Sequence, residues 1–489
     1  MKALLAVFAL QLFAGDLRLA DAAKSQDRAA LAKLLGQKAD PNVTQVDGTT
    51  ALHWAAQNDD REMAQLLLRA GANVHAKNRY GVTPLSLACT NGSGPMVALL
   101  LGAGADPNTQ LPGGETALMT AARTGQLEPV NALLARGAVV DAKDSQKGQT
   151  ALMWAAAEGH VPVVEALLAA KADVHLRVAS GFTPFLFAVR EGRIGVVRAL
   201  LKAGVNANEA IEPAPTSAAR PGKAPRAGVS ALVLAVTNAH YELASILLDA
   251  GADPNASDAG YTALHVISQV RKPGLGDNDP SPQGSGNLNS LDFVRKIARK
   301  DANLNARMTK RVNFAMTAIN VLGATPFFLA ARGGDAELMR LLASLGADPN
   351  LTNHEGTAPL IAAAGLGTRS PGEDSGTESE VLEAVQVALD LGADINAVNL
   401  NGETAMHGAA YKNLPAVVEL LAAKGAKIEL WNKKNKFGWT PLLIAQGFRF
   451  GNFKPSPTTM AAFEKVMLAA GVTPPPAPPV GAKANSEYH

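Results

Sequence analysis

The sequence predicts an all-α solenoid of about twelve helix–turn–helix units, joined by short β-hairpin-like turns and interrupted by several inserted loops. Three observations predict it. A seven-residue segment that opens on a helix-capping residue and continues through small and apolar side chains returns about every 33 residues. A Leu-Leu pair follows most copies, and each unit reads as two helices too short to be stable alone in water. Each helix carries an apolar stripe at helical spacing, and the surface that can cover it is the next copy of the same unit.

From the start of the chain, residues 1–14 (MKALLAVFALQLFA) place one lysine before an apolar run that is too short to span a bilayer. The run fits a secretory signal peptide over residues 1–15 and predicts export to a periplasmic or extracellular location. Residues 16–43 read as a polar-faced terminal repeat, the cap of a repeat domain covering 16–472. The opening segments then stand at Thr50 (TALHWAA), Thr83 (TPLSLAC), Thr116 (TALMTAA), Thr150 (TALMWAA), Thr183 (TPFLFAV) and Ser230 (SALVLAV). They continue at Thr262 (TALHVIS), Thr325 (TPFFLAA), Ala358 (APLIAAA), Thr404 (TAMHGAA) and Thr440 (TPLLIAQ). Thr or Ser at the opening position caps the first helix, and Pro or Ala after it suits the first turn. The small Ala pair allows close approach between repeats. Gly after the second helix takes the left-handed conformation that stops it, and Asp-Pro-Asn starts the turn to the next copy.

The combination of Thr-Pro-Leu-His-x-Ala with closing Gly-Ala-Asp-Pro-Asn, as at Gly104–Asn108, Gly251–Asn255 and Gly346–Asn350, resembles the ankyrin repeat. Eleven matching copies carry the resemblance over almost the whole chain, to about residue 472. It resembles the long, exported bacterial members of that family. The resemblance implies a protein-binding scaffold whose turn tips and first helices line a concave face.

Insertions near 209–227, 271–290, 307–322 and 366–380 break the period. The first two and the last are rich in Gly, Pro, Ser or Asn and read as functional or mobile loops, whereas the apolar residues of 307–322 suggest docking onto the stack. Residues 473–489 form a Pro-rich tail expected to be disordered.

Chemistry-bearing motifs are absent from the sequence: it has no P-loop, Gly-x-Ser-x-Gly, His-Glu-x-x-His or paired Cys-x-x-Cys. We therefore expect no enzyme activity, no catalytic residues, no cofactor and no metal. His53, His265 and His407 share the fourth position of the opening segment, where an imidazole ties adjacent turns together. The Asp277–Ser281 stretch fails as a calcium loop because Leu288 stands where the bidentate Glu belongs. Cys89 replaces a small core residue and reads as a buried structural thiol. With 45 Lys and Arg against 43 Asp and Glu there is no global field for nucleic acid or an acidic membrane. The cluster Arg295, Lys296, Arg299, Lys300, Arg307, Lys310 and Arg311 reads as a solvated helix face, with an acidic partner patch as the alternative.

What remains is surface. Tyr80, Phe182, Tyr261, Phe437 and Trp439 fall on turn tips, and Arg123, Arg190, Glu191, Tyr411 and Lys412 on adjoining helix positions. Aromatic and Arg side chains dominate interface energetics, so these ten are the expected protein-binding residues. Trp54, Trp154 and Phe187 are expected to pack between repeats. The reading is a monomeric scaffold for protein partners, with no nucleic acid and no membrane span. Two other classes stay open: an assembly or protective factor for a secreted or periplasmic enzyme, and an enzyme whose site is built from the inserted loops.

Overall fold

The structure is a computed structural model that describes residues 17–213, 227–274, 282–312, 318–449 and 454–476. The expected signal peptide, most of the insertion near 209–227, the Asp277–Ser281 stretch and all but the start of the Pro-rich tail lie outside these residues. Among the described residues there are twenty-five helices and no strand, with isolated bridges at Gln110–Thr116 and Ala210–Ser230. Twenty-four of the helices form twelve antiparallel pairs, and the last is a single turn, Ile428–Trp431.

The pair Ala151–Glu158 and Val161–Ala169 shows how the unit is made. Thr150 Oγ accepts from the Met153 N–H at 3.3 Å and starts the first helix. Gly159, at φ 90°, ends it. Val163, Val164 and Leu167 then bury the inner stripe of the second helix. Thr83, Thr116, Thr183, Ser230, Thr325 and Thr440 make the same capping bond at 3.1–3.3 Å. Ala358 has no side-chain acceptor, and its helix, Pro359–Ala363, is only five residues long.

Two kinds of side-chain bridge recur between successive repeats. Buried His53 receives a hydrogen bond from the Thr50 N–H and directs Nε2 at Val82 O, 3.0 Å away in the following turn. His265 reaches Ala306 O and Ala324 O in the same manner, and His407 reaches Lys433 O. Burial holds His265 and His407 at a pKa of about 4, and His53 below its ordinary value, so these are neutral ties. The second bridge is the turn asparagine. Asn108 Nδ2 donates to Gly137 O at 3.2 Å while its Oδ1 accepts from Val139 N at 2.8 Å. Asn42, Asn208 and Asn255 repeat the double contact with their own following turns.

The chain divides into two compact units, Met1–Asn206 with Ile211–Pro225, and Ala207–Ala210 with Arg226–His489. In unit 1 the repeats follow one another without interruption. Leu67, Leu100, Leu133, Leu167 and Leu200, equivalent positions of five second helices, are fully buried, as are the small pairs Ala55-Ala56, Ala121-Ala122 and Ala155-Ala156. Cys89 occupies one such place, and burial pushes its thiol up to about 12, which leaves it an inert packing group.

Unit 2 accommodates the later insertions, those after Arg271. Met308, Val312, Ile319 and Val321 are buried, and Met308 N donates to Ala324 O at 2.9 Å. The segment near 366–380 is pinned by its acids. Asp374 accepts from Arg332 and from Thr368 Oγ1, each at 2.7 Å, and Glu380 pairs with Lys272. In the basic cluster on and after the helix Ser290–Ala298, Arg295 pairs with Asp292 and both Lys296 and Lys300 pair with Asp249. Arg307 and Lys310 are likewise bound to backbone carbonyls, at Gly323 and Thr352 and at Asp258.

Candidate functional site

The face made by hairpin tips and first helices is different in each unit. In unit 1 it carries cations laid on aromatic rings. Lys24 lies 5.0 Å from the Trp54 ring, Arg79 4.8 Å from Tyr80, and Arg123 5.6 Å from Trp154. Arg190 lies 5.2 Å and 5.1 Å from Phe182 and Phe187. Tyr80 is 55% exposed, and the side chains of Arg123 and Arg190 are 44% and 41% exposed. Arg123 is aimed by Glu115, which also accepts from Thr120, and Arg190 pairs with the neighbouring Glu191 at 2.8 Å. Each guanidinium keeps its ring contact while presenting donors to solvent.

Phe182 is not an exposed tip. It is 4% exposed, because its ring sits 5.3 Å from that of Phe187, beneath Arg190. Phe187 is buried, whereas Trp54 and Trp154 are half-buried.

Beside Trp154 lies a pocket of about 330 Å³ lined by Leu111, Gly113, Glu115, Asp144, Gln146, Lys147, Gln149 and Trp154. Of the residues lining it, Trp154 and buried Gln149 carry an indole N–H and an Oε1 that are withdrawn from solvent and have no hydrogen-bond partner in the protein. The first repeat shows the alternative, since Trp54 Nε1 donates to Gln45 Oε1 at 3.0 Å. The hairpin before Trp154 is one residue longer, and Asp144 stands where Gln45 does. Its carboxylate is turned back onto the N–H groups of Gln146, Lys147 and Gln149, at 2.6–2.9 Å. The sequence held this signal in the nine-residue spacing from Asp141 to Thr150, against eight from Asn42 to Thr50 and from Asn108 to Thr116.

In unit 2 four of the expected binding residues are buried: Tyr261, Tyr411, Lys412 and Trp439. Tyr261 lies next to Gly260, whose carbonyl accepts from Thr309 of the insertion. Tyr411 is held in a polar cluster around Glu403, which also accepts from Asn435 at 3.1 Å and from Asn399 at 3.2 Å. Burial raises the Glu403 carboxyl, and burial next to that carboxyl raises the Tyr411 phenol. Lys412 is 3% exposed and donates to Ser375 O. Burial lowers its ammonium to about 8; Arg332 acts in the same direction, against Asp374 and Glu380. Trp439 packs on the half-buried Phe437, ring centroids 5.4 Å apart, and Lys436 covers the outer side of Phe437. Glu403, Tyr411, Lys436 and Phe437 line a second pocket, about 100 Å³, bordered by Ile319 and Leu366–Arg369 from two insertions. The sequence reading missed the Glu403–Asn399–Asn435 cluster because all three side chains occupy ordinary turn positions.

Among the described residues no group of three or more His, Cys, Asp or Glu side chains is placed to hold a metal ion, and no helix is long and apolar enough to cross a membrane.

A family model described as ankyrin repeats in three copies matches residues 19–111, 94–178, 118–211 and 377–452. A single-repeat model of the same family matches 227–259 and 322–354. The chain belongs to the ankyrin-repeat proteins. It is 33% identical over 222 residues to the B-cell lymphoma 3 protein homolog of Mus musculus, a match covering 45% of this chain and 40% of that protein. The ankyrin repeat protein YahD of Escherichia coli strain K12 is 28% identical over 202 residues, covering 41% of this chain and 82% of YahD. The human neurogenic locus notch homolog protein 1 is 31% identical over 162 residues, 32% of this chain and 5% of that protein. The chain thus spans well under half the length of the first of these relatives. Ankyrin repeats serve generally as protein-interaction scaffolds, and this chain has their architecture.

Proposed function

We propose that this ankyrin-repeat protein is a non-catalytic scaffold that holds a partner protein on the hairpin and first-helix face of unit 1. The observation that carries the reading is the series of cation-on-aromatic pairs at Tyr80, Trp154 and Phe182–Phe187, with Arg123 and Arg190 partly exposed above their rings. Arg and aromatic side chains held in place before binding lose little entropy when a partner arrives. Affinity purification of the native protein from its own cell fraction identifies the partner. Its binding is then measured against Tyr80→Ala, Arg123→Ala and Arg190→Ala. At least one anchor is expected to cost about 2 kcal/mol or more of affinity. Wild-type affinity in all three variants would remove the reading.

Export is part of the same proposal. It is supported by the apolar run 1–14 and predicts mature protein from the native host beginning near Gly15 or Asp16. An intact Met1 on that protein, found by mass spectrometry, contradicts it.

A further inference from the structure

We propose that the pocket at Trp154 and Gln149 takes a primary carboxamide, presented by an asparagine or glutamine side chain of the partner. The inference rests on the reading of unit 1 as a protein-binding face and names the chemistry that one point of that face recognises. Two of the lining residues carry orphan groups, a donor at Trp154 Nε1 and an acceptor at Gln149 Oε1, both without a partner and both withdrawn from solvent until Gln146 and Lys147 move aside. Buried polar groups are satisfied in the great majority of cases, so a donor and an acceptor left open in one pocket call for a ligand with both.

The choice among ligands follows from geometry and charge. A carboxylate offers no donor to Gln149 and would meet Glu115 and Asp144 in the lining. An ammonium offers no acceptor to the indole. A main-chain peptide unit has both groups, but in the trans form its N–H and C=O point in opposite directions. A primary carboxamide carries an N–H and a C=O side by side at one end, the fork by which Asn and Gln make paired contacts elsewhere.

The first repeat of unit 1 supplies an internal precedent. There the equivalent indole, Trp54 Nε1, is satisfied by the carboxamide of Gln45 from its own hairpin. In the Trp154 repeat that place has passed to Asp144, and Asp144 is committed to three N–H groups of its own turn. A partner's carboxamide therefore takes in trans the position that Gln45 fills in cis. Gln146 and Lys147, which line the pocket and are exposed, are the side chains that move to admit it.

The test needs no identified partner. The full chain is labelled with ¹⁵N at its tryptophan indoles, and the Trp154 resonance among the four is assigned with Trp154→Phe. It is titrated with propionamide, with N-methylacetamide as the main-chain mimic, and with propionate. Propionamide is expected to shift the Trp154 indole saturably while the Trp54 indole stays in place. The two control ligands are expected to bind at least about tenfold more weakly, the loss of one of two hydrogen bonds. Gln149→Leu is expected to abolish saturation while its thermal unfolding midpoint confirms the fold. An unresponsive Trp154 indole overturns the proposal, as does an equal response to N-methylacetamide or propionate. Loss of partner binding in the Arg123 or Tyr80 variants together with a silent Trp154 would overturn the carboxamide site and leave the scaffold reading standing.

Discussion

Unit 1 and unit 2 are built from the same repeat, yet equivalent positions meet different fates. Arg123, Arg190 and Glu191 of unit 1 reach solvent, whereas Tyr411 and Lys412, which hold the same places of the repeat in unit 2, are buried. Insertions make most of the difference. Residues 307–312 run past Gly260-Tyr261, and the segment 366–380 closes over Tyr411 and Lys412. Phe182, Tyr261 and Trp439 stand directly before the opening residue of their repeats, a place where Thr49, Gln149, Val229, Thr357 and Glu403 are buried as well. Repeat position by itself buries that place, whereas at Tyr411 and Lys412 the length of the neighbouring loop decides.

That contrast can be pressed experimentally. The largest effect is expected where an insertion is tied down by charge. Asp374→Ala leaves the Arg332 guanidinium buried without its carboxylate, and chemical denaturation is expected to show a loss of about 3–5 kcal/mol. A change under 1 kcal/mol on the same measurement would mean that the ion pair does not hold the segment.

Acid comes next. His265 and His407 have folded pKa values of about 4, below the ordinary 6.5, so both are neutral in the fold and must take up protons on unfolding in acid. The stabilisation is complete above pH 6.5 and is lost as pH falls from there toward 4. The expected slope is about 1.4 kcal/mol per pH unit for each histidine. His407→Gln is expected to flatten it, read from urea midpoints across that range. An unchanged slope would show that His407 does not carry its share.

A smaller gain is available at Ala358, the one opening position without a capping side chain among the eleven. Ala358→Thr is expected to raise stability by about 1 kcal/mol, visible as a higher melting temperature. Smallest of all, Tyr80→Ala is expected to leave stability within about 0.5 kcal/mol, since its side chain is mostly in water. A larger loss would place Tyr80 in the packing of the hairpins rather than on a free surface.

The architecture was legible in the sequence because each signal is local. The helix pair of residues 151–169 could be bounded to within one residue from a capping Thr, a stop Gly and an apolar stripe. The roles of His53, His265 and His407 were legible too, since one position recurs with one geometry. Exposure of the face was not. Tyr411 and Lys412 are covered by an inserted segment that no period encodes, while Phe182, Tyr261 and Trp439 hold the place directly before the opening residue, whose burial shows only in the packed hairpins. The Trp154 pocket depends on a comparison of two hairpins differing by one residue, a signal weaker than the repetition surrounding it.

One feature of unit 2 carries a genetic consequence. The insertion at 307–322 and that at 366–380 hydrogen-bond to each other, with Ala318 N donating to Gly367 O at 2.8 Å. The segment that follows Arg271 reaches the same region, where Gly274 lies against the Glu373 carbonyl. Segments from three different repeats thus meet, and neither of the two that share this hydrogen bond can be trimmed back without stranding polar backbone of the other. Such segments are expected to be gained and lost together among descendants of this chain. Aligned relatives that keep one at full length while having shed the other two would show instead that each is inherited independently.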